Sequence, residues 1–307
     1  MMSRVSLALG TVMLTLGACD ESGPLDAALP AVVFVSGAQQ DAELYLWSND
    51  TLTRLTSNAF AESEPHVAAG RLAFTSDRDG DSEIYIGDVR ATNVRRLTMD
   101  PAADGEAAIH PTGDRLVFVS TRSGTPRLWM MDTLGGSLAP LPTGSDTFIP
   151  ERGPAWSPSG DRIAFTSART GTSQVWVVSA LGGAATQVTA EAGGAFDPAW
   201  SATGEHIIYA TGASTPRLRS VVVANGATAD YAVVADTSLG EPSCSPDFCV
   251  VVRGAYGFAG DLVAYAAPRA PGPGIGVRPP PGPIRGNEPR VLVAWLPNDR
   301  QPAVVPP

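Results

Sequence analysis

The sequence predicts an all-β chain built from repeated four-stranded antiparallel modules, and three observations carry that expectation. A short apolar piece ending in a hydroxyl residue recurs as LAFTS, LVFVS and IAFTS. Its shared position falls at Ser36, Ser76, Ser120, Ser167 and Thr211, 40 to 47 residues apart. That period belongs to the blades of a β-propeller; helical solenoids repeat at shorter intervals. Finally, alternating stretches such as SEIYIGD and SQVWVVS follow each apolar piece, and no segment keeps a helical period.

Each module reads in the same order. A first strand lies in EPHVAAG, EAAIHPTG, GPAWSPSG, DPAWSATG and EPSCSPDF. The apolar piece is the second strand, and a polar turn follows it. The alternating stretch is the third. A turn at Asn49, Asn93, Gly135–Gly136, Gly182–Gly183 or Asn225–Gly226 leads to the last strand. Five copies are plain, and a sixth begins at Glu241 and continues through DLVAYAA.

The Pro-rich run over 268–289 reads as a long exposed loop, because proline removes ladder donors. The first copy lacks its own first strand. RVLVAWLPND (Arg290–Asp299), with Trp295 in a partial echo of AWSPSG, is expected to fill that gap. The expectation is therefore a six-bladed β-propeller of four-stranded antiparallel blades, closed by a C-terminal strand that removes the open sheet edge.

GPAWSPSGDRIAFTSARTGTSQVWVVSALGGAATQVT and LAFTSDRDGDSEIYIGDVRATNVRRLT resemble TolB-type propeller repeats, the WD-like motif of the bacterial periplasm. The resemblance spans residues 31–298. It implies the fold more than the function, because many unrelated proteins use such blades. In TolB-like proteins the propeller docks other envelope proteins, and its channel end is part of that surface. The resemblance thus implies a non-catalytic envelope scaffold that binds a protein partner at the channel mouth. The alternative is a propeller enzyme or glycan-binding protein using that mouth as a metal or substrate site.

The chain opens with MMSRVSLALGTVMLTLGAC. Arg4 precedes an apolar run too short to cross a bilayer but suited to a signal peptide. Leu16-Gly17-Ala18-Cys19 resembles a bacterial lipobox, which makes 1–18 a lipoprotein signal peptide and Cys19 the lipidated residue. A plain secreted protein is the alternative. Residues 19–30 then form a tether, 31–298 the propeller and 299–307 a tail. The expected location is the cell envelope, with the propeller in the periplasm and membrane contact through the lipid alone. Cys244 and Cys249 could close a small disulfide ring in an oxidising compartment, adding about 2 kcal/mol; two free buried thiols are the other reading.

Apolar residues make up 44% and charged residues 17%, which suits a sizeable core and argues against wholesale disorder. The net charge is −10 and the chain has no lysine. A chain without a basic stripe is a poor match for nucleic acid; a basic segment of an envelope protein is the more natural partner, with the chain itself a monomer.

One column of acids stands out. Glu64, Glu106, Asp197 and Glu241 occupy matching places in the first strands, and Gly153 breaks the pattern. First strands line a propeller's channel, so these acids are expected to converge and to suit a basic partner segment or a cation. Capping turns is their plainer reading. DRDGDSE, with Asp77, Asp79, Asp81 and Glu83, raises a calcium loop, but the aligned segments keep the glycine and mostly drop the acids, so a hairpin turn is expected. Tyr45, Tyr85, Trp129 and Trp176 read as packing between blades, with a sugar-stacking face as the alternative. His66, His110 and His206 do not share one level and make no metal site. No nucleophile elbow, Cys–His pair or phosphate-cradling loop is present, so neither a catalytic residue nor a cofactor is expected.

Overall fold

The computed structural model describes residues 32–36, 42–48, 51–144, 148–201, 203–212 and 218–230, and the strands at 262–269, 272–278, 290–294 and 299–304. Every regular element among them is a β-strand. The chain begins with β1 (Val32–Ser36), β2 (Glu43–Ser48) and β3 (Thr51–Arg54). Four contiguous four-stranded blades follow. Blade 2 holds β4 (Glu62–Ala68), β5 (Arg71–Ser76), β6 (Glu83–Asp88) and β7 (Arg95–Arg96); blade 3 holds β8 (Asp104–Ile109), β9 (Arg115–Ser120), β10 (Arg127–Asp132) and β11 (Ala139–Pro140). Blade 4 holds β12 (Glu151–Trp156), β13 (Arg162–Ser167), β14 (Gln174–Ser179) and β15 (Thr186–Gln187); blade 5 holds β16 (Ala195–Trp200), β17 (His206–Thr211), β18 (Leu218–Val222) and β19 (Thr228–Asp230). Each is an antiparallel meander in chain order.

The core lies between blades. Leu72 and Phe74 of β5 pack toward blade 1, whereas Ala73 of the same strand packs toward blade 3. The apolar pieces read as continuous runs for this reason: both faces of each second strand are buried, so strand alternation separates two cores instead of core from solvent. Between blades 3 and 4, Val117, Val119 and Leu128 meet Ile163, Phe165 and Trp176. Between blades 4 and 5, Ala164 and Val175 meet Ile207, Tyr209 and Val221.

Three expectations need correction at the C-terminal end. The described residues do not form a six-bladed ring of four-stranded sheets. The strands β20 (Leu262–Arg269), β21 (Gly272–Arg278) and β22 (Arg290–Ala294) make a closed three-stranded arrangement. The run 268–289 is not wholly a loop: β21 crosses it and pairs antiparallel with β20, from Tyr265 opposite Gly276 to Arg269 opposite Gly272. Two of its prolines, Pro268 and Pro273, face each other near the hairpin end. Finally, the strand that completes the first sheet is β23 (Asp299–Val304), inside what reads as a tail. It pairs antiparallel with β1, from Val32 opposite Val304 to Ser36 opposite Asp299, giving blade 1 the order β23-β1-β2-β3. The expected closing strand, β22, pairs with β20 and β21 instead. Trp295 lies outside the described residues.

Candidate functional site

The innermost strand of each contiguous blade breaks register at one place: between Ser63 and His66, Gly105 and Ala108, Arg152 and Ala155, and Phe196 and Ala199. The first of the two residues inside each break has left-handed backbone, with φ of 53° at Glu64, 51° at Glu106, 59° at Gly153 and 49° at Asp197. These are the acid column and the glycine that interrupts it. A bulge of this kind re-aims its side chain. For a residue with a Cβ the conformation costs about 1–2 kcal/mol, so something must offset it at three of the four positions.

At Glu64 and Glu106 the offset is a bond to the next blade. Glu64 Oε2 accepts the backbone N–H of Glu106 at 2.5 Å and the Thr75 hydroxyl at 2.9 Å. Glu106 Oε2 accepts the backbone N–H of Gly153 at 2.5 Å, and its Oε1 takes Arg152 Nη1 at 2.9 Å. These two carboxylates therefore grip the bulge of the following blade. Three contacts, two from indoles and one from an imidazole, run alongside. Trp156 and Trp200 donate their indole N–H to Ala108 O at 2.9 Å and Ala155 O at 3.1 Å in the preceding blade, and His66 Nδ1 accepts the N–H of Ile109 at 3.1 Å. The acids Glu64 and Glu106 are brought together; Asp197 stands at the matching bulge two blades on from Glu106. Glu241, Cys19, Cys244 and Cys249 lie outside the described residues.

A second constellation repeats three times, and its signal is the tripeptide Ser-x-Arg at Ser76–Arg78, Ser120–Arg122 and Ser167–Arg169. Each arginine donates Nε to the serine hydroxyl two residues back, at 3.0, 2.7 and 3.3 Å. Each also pairs through Nη2 with the buried acid that opens the same blade: Glu62 at 2.6 Å, Asp104 at 2.6 Å and Glu151 at 2.7 Å. Its guanidinium lies over a cross-strand aromatic pair: Phe74 with Tyr85, Phe118 with Trp129, and Phe165 with Trp176. Ring faces attract cations, and a desolvated pair of this kind is worth about 2 kcal/mol. The aromatic column at Tyr85, Trp129 and Trp176 is thus lidded by arginine.

Known proteins share this fold. The model of the TolB β-propeller domain matches residues 30–152 and 143–259. The chain belongs to the TolB β-propeller family. Among solved structures, TolB from Acinetobacter baumannii superposes with a TM-score of 0.68 at 16% identity, over 91% of this chain and 67% of that one. A TolB-type structure from Agrobacterium tumefaciens gives 0.54 at 19% identity, over 66% of this chain and 80% of that one. Hydrazine synthase of Kuenenia stuttgartiensis gives 0.65 at 15% identity, over 90% of this chain but only 46% of that one. At these identities the likeness is one of fold.

In this TolB-type propeller, DRDGDSE is the β5–β6 hairpin, closed by Gly80 N–H to Asp77 O at 2.9 Å. Asp79 pairs with Arg96 at 3.1 Å and accepts the Tyr85 hydroxyl. Among the described residues no group of His, Cys, Asp and Glu has an arrangement that could hold a metal ion. His110 sits buried against the edge of Trp156. Its Nδ1 accepts the N–H of Thr112 at 3.2 Å, which leaves Nε2 to donate to Gly160 O at 3.2 Å in blade 4. Burial lowers its pKa, with Arg115 adding to burial and the Gly160 carbonyl and Asp114 opposing.

The outward chemistry sits on the connections leading into the inner strands. Phe60 before β4 is 43% exposed, Met99 before β8 is 75% exposed and Phe148 before β12 is 83% exposed. A large apolar side chain therefore stands out at three successive blade junctions, at the end of the inner strands where the acid column lies.

Proposed function

We propose that this TolB-family chain is a non-catalytic binding scaffold of the cell envelope that docks a protein partner at the channel end of its propeller. The observation that carries the reading is the arc of Phe60, Met99 and Phe148. Exposed apolar groups at successive blade junctions are informative where single ones are not. The column Glu64, Glu106 and Asp197, with Glu241 continuing it in sequence, adds negative potential behind that arc, and the net charge of −10 agrees in sign. A partner segment carrying apolar and basic side chains fits both features. Family membership supports a periplasmic setting, and the lipobox supports a lipid anchor at Cys19.

A photo-crosslinking residue placed at Met99 or Phe148 in the native host tests the docking face, with Leu134 and Leu181 on the β10–β11 and β14–β15 turns as comparison positions. A discrete adduct at 99 and 148, lost when Phe60→Ser is added, supports the face. Adducts at 134 and 181 with none at 99 and 148 overturn it. Fatty-acid labelling that persists in Cys19→Ser removes the anchor from this reading.

A further inference from the structure

One backbone bond recurs at four blade junctions and fixes which side chains meet there. Glu62 N–H donates to Ala42 O at 2.8 Å, Asp104 to Ser82 O at 2.8 Å, Glu151 to Pro126 O at 2.9 Å and Ala195 to Ser173 O at 2.8 Å. The first residue of each inner strand therefore lies beside the first residue of the preceding blade's third strand. At the blade 3/blade 4 junction this pair is Arg127 with Glu151, an ion pair at 3.2 Å. At the blade 4/blade 5 junction Gln174 occupies the place and bonds the backbone of Glu191 at 2.7 and 3.0 Å. At the two junctions of blade 2 both partners are acids: Glu43 with Glu62, and Glu83 with Asp104. All four are buried, at 2%, 0%, 0% and 1% exposure.

Their donors all fall on one oxygen. Glu43 Oε1 accepts from Arg54 at 2.8 Å and from Asn58 N–H at 2.6 Å. Glu62 Oε1 accepts from Asn58 Nδ2 at 3.0 Å, Ser76 at 3.2 Å and Arg78 at 2.6 Å. Glu83 Oε1 takes Arg96, and Asp104 Oδ2 takes Arg122 at 2.6 Å. The other oxygens, Glu43 Oε2, Glu62 Oε2, Glu83 Oε2 and Asp104 Oδ1, are buried with no donor. A buried acceptor in that state is costly, and two adjacent buried carboxylates resist ionising together.

We propose that blade 2 is clamped to both neighbours by protons, one shared by Glu43 and Glu62 and one by Glu83 and Asp104. A proton taken from solvent converts one free oxygen of each pair to a hydroxyl, which donates to its partner's free oxygen. Both orphaned acceptors are then satisfied. The surrounding charges agree at the second junction, where Asp79, Asp81 and Asp100 join the pair against Arg96 and Arg122. At the first, Arg54 and Arg78 face the pair, and the two carboxyl groups are within hydrogen-bonding reach.

The titration directions follow. Burial raises Glu62, opposed by Asn58 and Arg78. Burial works upward on Glu43 too, but hydrogen bonds from Thr56, Asn58, Glu62 and Arg54 hold it below its usual value. Burial pushes Asp104 up to about 6 against Ser120 and Arg122, with Asp100 and Glu83 adding to the rise. For the raised groups, Glu62 and Asp104, the clamp's stability is fully present below their unfolded values and is lost as pH rises through the folded ones.

The test compares the full chain with the double variant Glu62→Gln, Asp104→Asn, whose amides supply the donor at every pH. Thermal midpoints are followed from about pH 5 to about pH 8. The expected result is that the variant gains on the parent by several degrees as pH rises; the subtraction cancels His110 and other unaltered groups. Parallel curves overturn the proposal. Infrared difference spectra of the unaltered folded protein give a second reading that needs no variant. A protonated-carboxyl band present near the low end of that range and gone at the high end supports the clamp, and its absence at both ends overturns it.

Discussion

Glu106 Oε2 accepts the backbone N–H of Gly153 from the neighbouring blade at 2.5 Å, and the residue that receives this grip is the one position in the column that carries no carboxylate. The acids therefore work first between blades. Their negative potential is available to a partner only as a field behind the exposed arc of Phe60, Met99 and Phe148.

Gly160 is fixed by close approach as well as by backbone. A Cβ there would lie 2.0 Å from His110 Nε2, and its φ is +72°. Gly160→Ala is expected to lower stability by about 3 kcal/mol, from overpacking together with left-handed strain. Denaturant unfolding checks it. Adding His110→Ala should return part of the loss, and no recovery would mean that strain alone is responsible.

Arg169 is the lid of blade 4, joining Glu151 to Phe165 and Trp176. Glu151 is wholly buried, so Arg169→Ala leaves it with Arg127 alone among its ion partners. The expected cost is about 3–5 kcal/mol in denaturant unfolding. Arg169→Lys should fall between, because a lysine keeps the charge and loses the flat stacking surface. A loss below about 1 kcal/mol for the alanine variant would reduce the lid to an ordinary surface pair.

His110 titrates in the opposite sense to the blade 2 clamps. Its folded pKa is depressed by burial. It contributes stability that is present above the ordinary histidine value, about 6.5, and is lost as pH falls through the folded value. His110→Gln should therefore flatten the acid side of the thermal midpoint against pH. An unchanged acid limb would show that the imidazole is free to protonate in place.

The strand repeats were legible because their residues serve two cores at once: Leu72, Ala73 and Phe74 are all buried, on alternate sides. The column Glu64, Glu106 and Asp197 was legible as a column, and so was its interruption at Gly153. Its left-handed bulges were not, because glutamate carries no propensity for that conformation and the compensating bond comes from a backbone amide more than 40 residues away. The Ser-x-Arg lids were present in the sequence as SDR, STR and SAR. Neither the serine repeat nor the aromatic column by itself names the arginine that joins them. At the C-terminus, AWLPND resembled a first strand and drew the closing role to Trp295, whereas backbone pairing with β1 falls on Asp299–Val304, a segment with little apolar pattern.

The measurement that bears most directly on the account is denaturant unfolding of Glu64→Ala and Glu106→Ala in the full chain. If these carboxylates hold successive blades together, each variant loses about 2 kcal/mol, the worth of a charge-assisted hydrogen bond to a backbone amide. Full stability in both variants, with loss of the partner adduct at Met99 and Phe148, would contradict it and return the acids to the role of direct ligands.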